Sequence, residues 1–435
     1  MQTRFEPAQL AAPAIAEADA ILRKCVHCGF CMATCPTYRL TGDERDGPRG
    51  RIYLIKEMLE AGGSAGPEVT HHLDRCLTCL SCMTTCPSGV DYLHLADIAR
   101  TRIHNTAKRR PFERLLRWLL ARLLPRPGHF AATLKLARFA KPLTPLLQAM
   151  AWSRPLAAML RLAPFRLPAP SDLKGGERFG ASGLRRARVL LFQGCAQRVL
   201  AARINEAAIR LMTRHGVEVL IAGDEGCCGA LSLHMGREDE ARDLAARNIA
   251  SWYGTVNRAG IDALVITASG CGSLIRDYGH LMARSAISGQ AARLSDLALD
   301  ITAFLEDIPL DDPETPMGLK VAWHPPCSLQ HGQKIKDAPA RMLQRAGFEV
   351  YLPADSHLCC GSAGVYNILQ PEIADRLLRD KQENIGRTGA DIIATANIGC
   401  MTQLAKGSQL PVVHVVELLD WATGGPKPQA LARLT

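Results

Sequence analysis

The string Cys25-Val-His-Cys28-Gly-Phe-Cys31-Met-Ala-Thr-Cys35-Pro36 returns 51 residues later as Cys76-Leu-Thr-Cys79-Leu-Ser-Cys82-Met-Thr-Thr-Cys86-Pro87. Three thiolates spaced two residues apart can hold three corners of an iron cube while the chain turns around it. A fourth, placed just before proline, points away toward a neighbouring cube. The doubled pattern predicts two [4Fe-4S] clusters with crossed ligation, Cys25, Cys28, Cys31 and Cys86 on one and Cys76, Cys79, Cys82 and Cys35 on the other. Zinc fits poorly, because its sites draw on well-separated pairs rather than on four cysteines within eleven residues. Disulfides fit worse. The first 20 residues mix Glu6, Glu17 and Asp19 into a weakly apolar stretch unlike a signal peptide, which places the chain in a reducing cytoplasm.

Eight more cysteines form a second repeat. Residues 188–195 read as a strand ending at Cys195, followed by a helix over 205–215, a strand over 217–222 and Gly226-Cys227-Cys228-Gly229. A long helix over 237–258 then leads to a strand running toward Cys271. The same order follows from Lys320, with Cys327, a strand over 348–352, Cys359-Cys360-Gly361, and a strand before Cys400. Cys195 to Cys327 and Cys228 to Cys360 are both offsets of 132 residues. Two homologous α/β units are predicted, with their cysteines at or just beyond strand C-termini, where open α/β sheets gather their sites. Adjacent cysteines are poor disulfide partners, whereas two neighbouring thiolates between glycines can face one metal. The set Cys195, Cys227, Cys228, Cys271, Cys327, Cys359, Cys360 and Cys400 reads as a further redox or metal site, the alternative being small core-filling thiols. His324 and His331 flank Cys327 where the first unit has Gln193 and Arg203, so the second half differs chemically, by a proton-relaying or a merely structural histidine.

These sites need elements to position them. At 435 residues and 47% hydrophobic content the chain can bury a large core in two or three domains. Helical periodicity over 49–61, with Ile52, Ile55, Met58 and Leu59 inward, predicts an all-helical cluster domain. Gly29, Arg23, Lys24, Arg45, Arg49, Arg51 and Arg75 are available to offset cluster charge. No apolar run approaches the roughly 20 residues needed to cross a bilayer. The net charge of +10 resides in one stretch, residues 114–171, which has ten Lys and Arg, Arg166 among them, and no Asp or Glu. Leu115, Leu116, Leu119, Leu120, Leu123 and Leu124 fall near one helical face there, with Arg114, Arg117 and Arg122 along the polar side. That pattern suits an anionic membrane surface or a partner's groove, and equally a connector packed on its own domains. Nucleic acid is not expected, since few aromatics interleave with the charges. Residues 175–183 lack the Gly-x-Gly-x-x-Gly order and read as a linker, so no flavin is expected on this chain. The boundaries drawn are 1–105 for the cluster domain, 106–186 for a basic connector, 187–310 for the first Cys-Cys-Gly repeat and 318–425 for the second.

The doubled cluster motif, Asp46-Gly-Pro-Arg-Gly-Arg-Ile-Tyr between its halves, and the strings Ser356-His-Leu-Cys-Cys-Gly-Ser-Ala-Gly and Thr395-Ala-Asn-Ile-Gly-Cys resemble the iron-sulfur subunits of bacterial glycolate oxidases over nearly the whole chain. These belong to a broader family joining ferredoxin and Cys-Cys-Gly domains. The resemblance implies a multidomain α and α/β protein, with a helical two-cluster ferredoxin-like domain followed by two α/β Cys-Cys-Gly repeats. It implies a complex with FAD-binding glycolate oxidase subunits that oxidise glycolate to glyoxylate, with D-lactate as a second candidate substrate. This chain would pass electrons toward quinone or another membrane acceptor from a peripheral position on the cytoplasmic face of the inner membrane. It would carry no catalytic residue for the hydroxy acid. The alternatives are the same role beside a glycerol 3-phosphate or lactate flavoprotein, or an iron-sulfur redox sensor. One departure stands out: family members with a noncubane cluster end each repeat in Cys-x-x-Cys, whereas Cys271 and Cys400 have no such partner.

Overall fold

In the computed structural model, which describes residues 1–165, 167–313 and 317–434, the N-terminal region is entirely helical. The helices Pro13–Lys24, Pro48–Ala61, Pro67–Asp74 and Tyr92–Thr106 enclose a core of Leu22, Ile52, Ile55, Leu59, Leu73, Leu95 and Ile103. The first three begin with proline in the first turn, where its missing N–H costs nothing and its fixed φ starts the helix. The cysteines lie on the loops and single turns between these helices.

The connector is four helices, Pro111–Leu123, Pro127–Ala140, Thr144–Ala149 and Arg154–Leu162; Arg166 lies outside the described residues. Here the structure departs from the simple amphipathic reading. Leu116 and Leu120 are buried against Met235 of the first repeat and Val365 and Ile368 of the second, while Leu115 and Trp118 face outward. Arg117 does not lie along a solvated stripe, because it pairs with Glu113 and, at 2.9 Å, with Asp74 of the cluster domain.

Each repeat builds a parallel sheet. In the first, β1 (Arg178–Phe179), β2 (Ala187–Phe192), β3 (Val217–Leu220), β4 (Ala263–Ile266) and β5 (Ala298–Asp300) are ordered β1-β3-β2-β4-β5. In the second, β6 (Lys320–Trp323), β7 (Glu349–Tyr351), β8 (Ile392–Thr395) and β9 (Val412–His414) are ordered β7-β6-β8-β9. All pairs are parallel except β1 with β3. Continuous apolar runs such as Val189, Leu190 and Leu191, all fully buried, suit strands covered on both faces. The 175–183 segment is therefore not a free linker, since it supplies β1. Gly175 is there for close approach, as a Cβ on it would meet the carbonyl oxygen of Gly223 at 2.3 Å. The strands are also shorter than expected: β4 ends at Ile266, and Cys271 lies in the following helix, Ser269–Ile275.

The two repeats pack reciprocally and share one core. Helix Arg203–Arg214 of the first lies on Val415–Ala422 of the second, and Ile301–Glu306 of the first lies on Ala338–Arg345 of the second. Asp420 anchors this interface from a buried position, accepting bonds from Arg210 at 2.7 Å and Arg214 at 3.0 Å. Asp420→Ala should leave both guanidinium groups unpaired and cost about 1–3 kcal/mol, less than a fully buried pair because the arginines are partly solvated. A lowered denaturation midpoint, with Asp420→Asn intermediate, is the expected result.

Candidate metal centres

The eight N-terminal cysteines gather around two adjoining cavities. Cys25, Cys28, Cys31 and Cys86 line one, and Cys35, Cys76, Cys79 and Cys82 line the other, with Cys82 also reaching the first. Each cavity thus takes three thiols from one motif and one, Cys86 or Cys35, from the other. The intervening loops are shaped alike. His27 and Gly29 in the first motif and Thr78 and Leu80 in the second all have positive φ, which curls the backbone so that successive N–H groups form an anion-accepting concavity. Leu80 adopts φ +62° without the freedom of glycine, a strained state held by its burial.

Charge is arranged to suit this donor set. Arg51 is fully buried; its guanidinium donates to the carbonyl oxygen of His72 at 2.8 Å and to Thr37 Oγ1 at 3.1 Å, and reaches Cys35 Sγ at 3.9 Å. Asp46, equally buried, holds His72 and Arg75 at 2.8 Å each. Arg100 donates to the carbonyl of Cys76 at 2.8 Å, and Tyr92 Oη lies 3.6 Å from Cys76 Sγ. Burial pushes the Cys79 and Cys82 thiols well up and that of Cys31 to about 11. At Cys76 burial is outweighed by Arg51 and Arg100, and the thiol is pulled below its ordinary value. Four converging thiols in each cavity, with buried Arg51 and Arg100 beside the second and Arg49 lining the first to offset the anionic charge, fit an iron-sulfur cluster in each. Of the cations picked out from sequence, Arg23 and Arg45 are instead engaged with Asp19 and Asp43 near the surface, while Arg49 pairs with Glu44 and also lines the first cavity. Arg100 and Tyr92 were missed, although their separation of eight residues puts them on one helical face.

In the repeats the cysteines also converge. Cys195, Cys227, Cys228 and Cys271 form a chain of thiol contacts, and so do Cys327, Cys359, Cys360 and Cys400. They do not all sit at strand ends. Cys195, Cys271 and Cys400 lie in helices that follow strands, and the Cys-Cys pairs lie on loops well past β3 and β7. The pairs are set by Gly229 and Gly361, at φ +95° and +89°, where a Cβ would come within 3.0 Å of the carbonyl oxygen of Ala241 and 2.7 Å of that of Ala374. Only glycine suits both backbone and space there. The second set is flanked by His324 and by Lys381, whose ammonium donates to the carbonyl of Asp355 at 2.7 Å. His331 points elsewhere, bridging Thr84 and the carbonyl of His357 at 2.9 Å each. Cys79 belongs to the same buried cluster as Cys327 and Cys359, so the second N-terminal cavity abuts the second repeat.

A model of the 4Fe-4S dicluster domain matches residues 21–90, and one of the Cysteine-rich domain matches residues 189–276 and 321–405. Over 408 residues, covering 93% of this chain and 95% of the relative, the sequence is 42% identical to the glycolate oxidase iron-sulfur subunit of Escherichia coli (strain K12). It is 31% identical over 436 residues to the probable glycolate oxidase iron-sulfur subunit of Bacillus subtilis (strain 168), covering 93% and 94%. Lactate utilization protein A of Oceanobacillus iheyensis is 26% identical over 54% of this chain and 96% of its own length. A hypothetical protein from Helicobacter pylori shares the fold, with a TM-score of 0.56 at 10% identity, covering 97% of this chain and 74% of that one.

Replacing Arg51 with glutamine should keep the cluster but lower its reduction potential. The loss of one unit charge at about 6 Å and an effective dielectric constant near 20 corresponds to roughly 100 mV. An EPR-monitored redox titration measures it, and an unchanged potential would remove Arg51 from the charge balance.

Proposed function

From the chain's membership of the glycolate oxidase iron-sulfur subunit family, we propose that it carries electrons from FAD-binding partner subunits, which oxidise glycolate or D-lactate, toward a membrane quinone. The observation that carries this reading is the gathering of eight cysteines around two adjoining cavities, the second of which abuts a third thiol set through Cys79. Iron-sulfur clusters bound there supply reversible one-electron transfer. Cys25, Cys28, Cys31 and Cys86 hold the first, and Cys35, Cys76, Cys79 and Cys82 the second. Cys195, Cys227, Cys228 and Cys271, with Cys327, Cys359, Cys360 and Cys400, provide one or two further redox sites in the repeats. The remaining residues set distance and charge: Cys82 lies in the wall between the N-terminal cavities, Cys79 faces Cys327 and Cys359, and Arg51 and Arg100 favour the anionic state. The hydroxy acid is oxidised on the partner, where the organic cofactor resides. A glycolate rather than a lactate partner is favoured because the lactate utilization relative matches only 54% of the chain.

Mixed with its partner subunits under anaerobic conditions, the protein should show glycolate-dependent reduction of its clusters by EPR. Cys79→Ser should lose about four irons per chain or markedly alter the reduced spectrum. Full iron content with an unchanged spectrum would sink the ligand assignment, and failure of glycolate to reduce an intact parent would sink the choice of donor.

We further propose that the outer helices of the connector rest on the cytoplasmic face of the membrane. No helix among the described residues is long and apolar enough to cross it. Leu136 and Phe139 are each 70% exposed, and Leu146 and Trp152 more than half exposed, among Lys135, Arg138 and Lys141. Apolar insertion and about 1 kcal/mol of attraction per cation near an anionic surface support reversible attachment. The protein should sediment with phosphatidylserine-containing vesicles at low salt and release at high salt. Leu136→Glu with Phe139→Glu should abolish sedimentation with the clusters intact; sedimentation equal to the parent would leave these helices as a connector alone.

A further inference from the structure

His324 is 1% exposed, and neither of its ring nitrogens has a hydrogen-bond partner. An imidazole buried in this state bears the cost of an unsatisfied polar group unless something takes up a nitrogen. A nitrogen of this ring lies with Cys360 Sγ and Cys400 Sγ in a set of donor atoms all within 4.8 Å of one another. Cys360 contacts Cys359, which contacts Cys327, so the ring stands at one end of the four-thiol chain. His331 cannot take this part, because both of its nitrogens are already bonded to protein.

The first repeat lacks this feature. The offset of 132 residues places Phe192 opposite His324, and its ring is packed edge-on against Trp252 at 5.4 Å. Lys381 has Asn248 in its place, seven residues beyond the alanine under each Cys-Cys-Gly glycine. Asn248 is closed off by bonds to Gly226 N at 2.7 Å and to the carbonyl of Cys227 at 3.0 Å. One repeat thus offers four thiols, and the other four thiols, a bare imidazole and a cation nearby.

We propose that His324 is a metal ligand of the second repeat, giving that repeat a mixed donor set of Cys327, Cys359, Cys360, Cys400 and His324 that the first repeat cannot match. This rests on the reading that the second thiol set binds an iron-sulfur group. A neutral imidazole supplies a fifth donor without a fifth negative charge, so the centre holds a higher potential than it would with a thiolate at that position, as histidine ligation does in other iron-sulfur proteins. Lying against Cys79, the centre is placed to draw electrons from the second N-terminal cavity.

The full-length protein, purified anaerobically with its partner subunits, tests this with [15N]histidine labelling and pulsed EPR in the oxidised and reduced states. The parent should show an imidazole nitrogen coupling that changes on labelling and disappears in His324→Ala. His324→Cys should retain the parental iron count and shift one midpoint potential downward. Absence of any histidine nitrogen coupling in the labelled parent, or its persistence in His324→Ala, overturns the proposal; the labelled parent alone decides if the variants do not fold. Cys360→Ser separates the two levels. If it loses iron while no histidine coupling is found, the metal site stands and His324 is not its ligand. If it loses no iron, the metal site itself is refuted and the proposal with it.

Discussion

Thiolates in a water-poor interior are the constraint on which the N-terminal domain is built. Cys25, Cys35, Cys76 and Cys82 are buried, and iron together with fixed cations must outweigh the penalty of an anionic sulfur there. Arg51 is the main protein contribution. A fully buried guanidinium would itself be costly, and the chain holds it with the carbonyl of His72, with Thr37 and with Asp46 3.7 Å away. Asp46 in turn is satisfied by His72 and Arg75. The motif between the cysteine strings is thus a charge framework: its acid holds the cation, and the cation faces the sulfur.

The same constraint governs how the domain meets the repeats. An electron moves efficiently only between centres held at short and constant distance, so the docking has to be rigid. It is fastened by polar contacts around the Cys79 contact. Tyr366 Oη donates to the carbonyl of Arg75 at 2.9 Å, Thr84 meets His331, and Arg39 forks onto Asp355 at 3.0–3.1 Å. On the other side His94 links Asp91 of its own helix to Asp277 of the first repeat at about 3.1 Å. The cluster domain is seated on both repeats.

Much of this was legible in the sequence because the signals were local or periodic. Cysteine spacing, the helix over Pro48–Ala61 and the order of strands and helices in each repeat all depend on near neighbours. What escaped depended on distant partners. Arg100 and Lys381 look like ordinary charged positions on helices, and only the fold brings them to Cys76 and to the second thiol set. Gly175 reads as a linker glycine because Gly223, whose carbonyl it approaches, lies 48 residues away. The strands were drawn too long because Ser269–Ile275 and Ile398–Leu404 begin helices within apolar runs that periodicity alone cannot divide.

The basic connector shows why one compositional signal can carry two roles. Its first helix is a strap: Leu116 and Leu120 reach both repeats, while Arg109 and Arg117 clamp Asp74 of the cluster domain at 2.6–3.0 Å. Burial opposes the charge of Asp74, but the two arginines hold its carboxyl below the ordinary range. Arg117 in this helix and Arg109 just before it are committed to joining the modules, and substituting them would loosen the docking whatever surface lies outside. The next helix, Pro127–Ala140, has no buried residue at all, and its Leu136 and Phe139 meet solvent beside Lys135 and Arg138. The acid-free stretch runs from Arg114 through both helices, yet the first spends Leu116, Leu120 and Arg117 on the other modules, whereas the second buries none of its residues. A membrane surface would therefore meet the second helix while the first keeps the clusters in register beneath it.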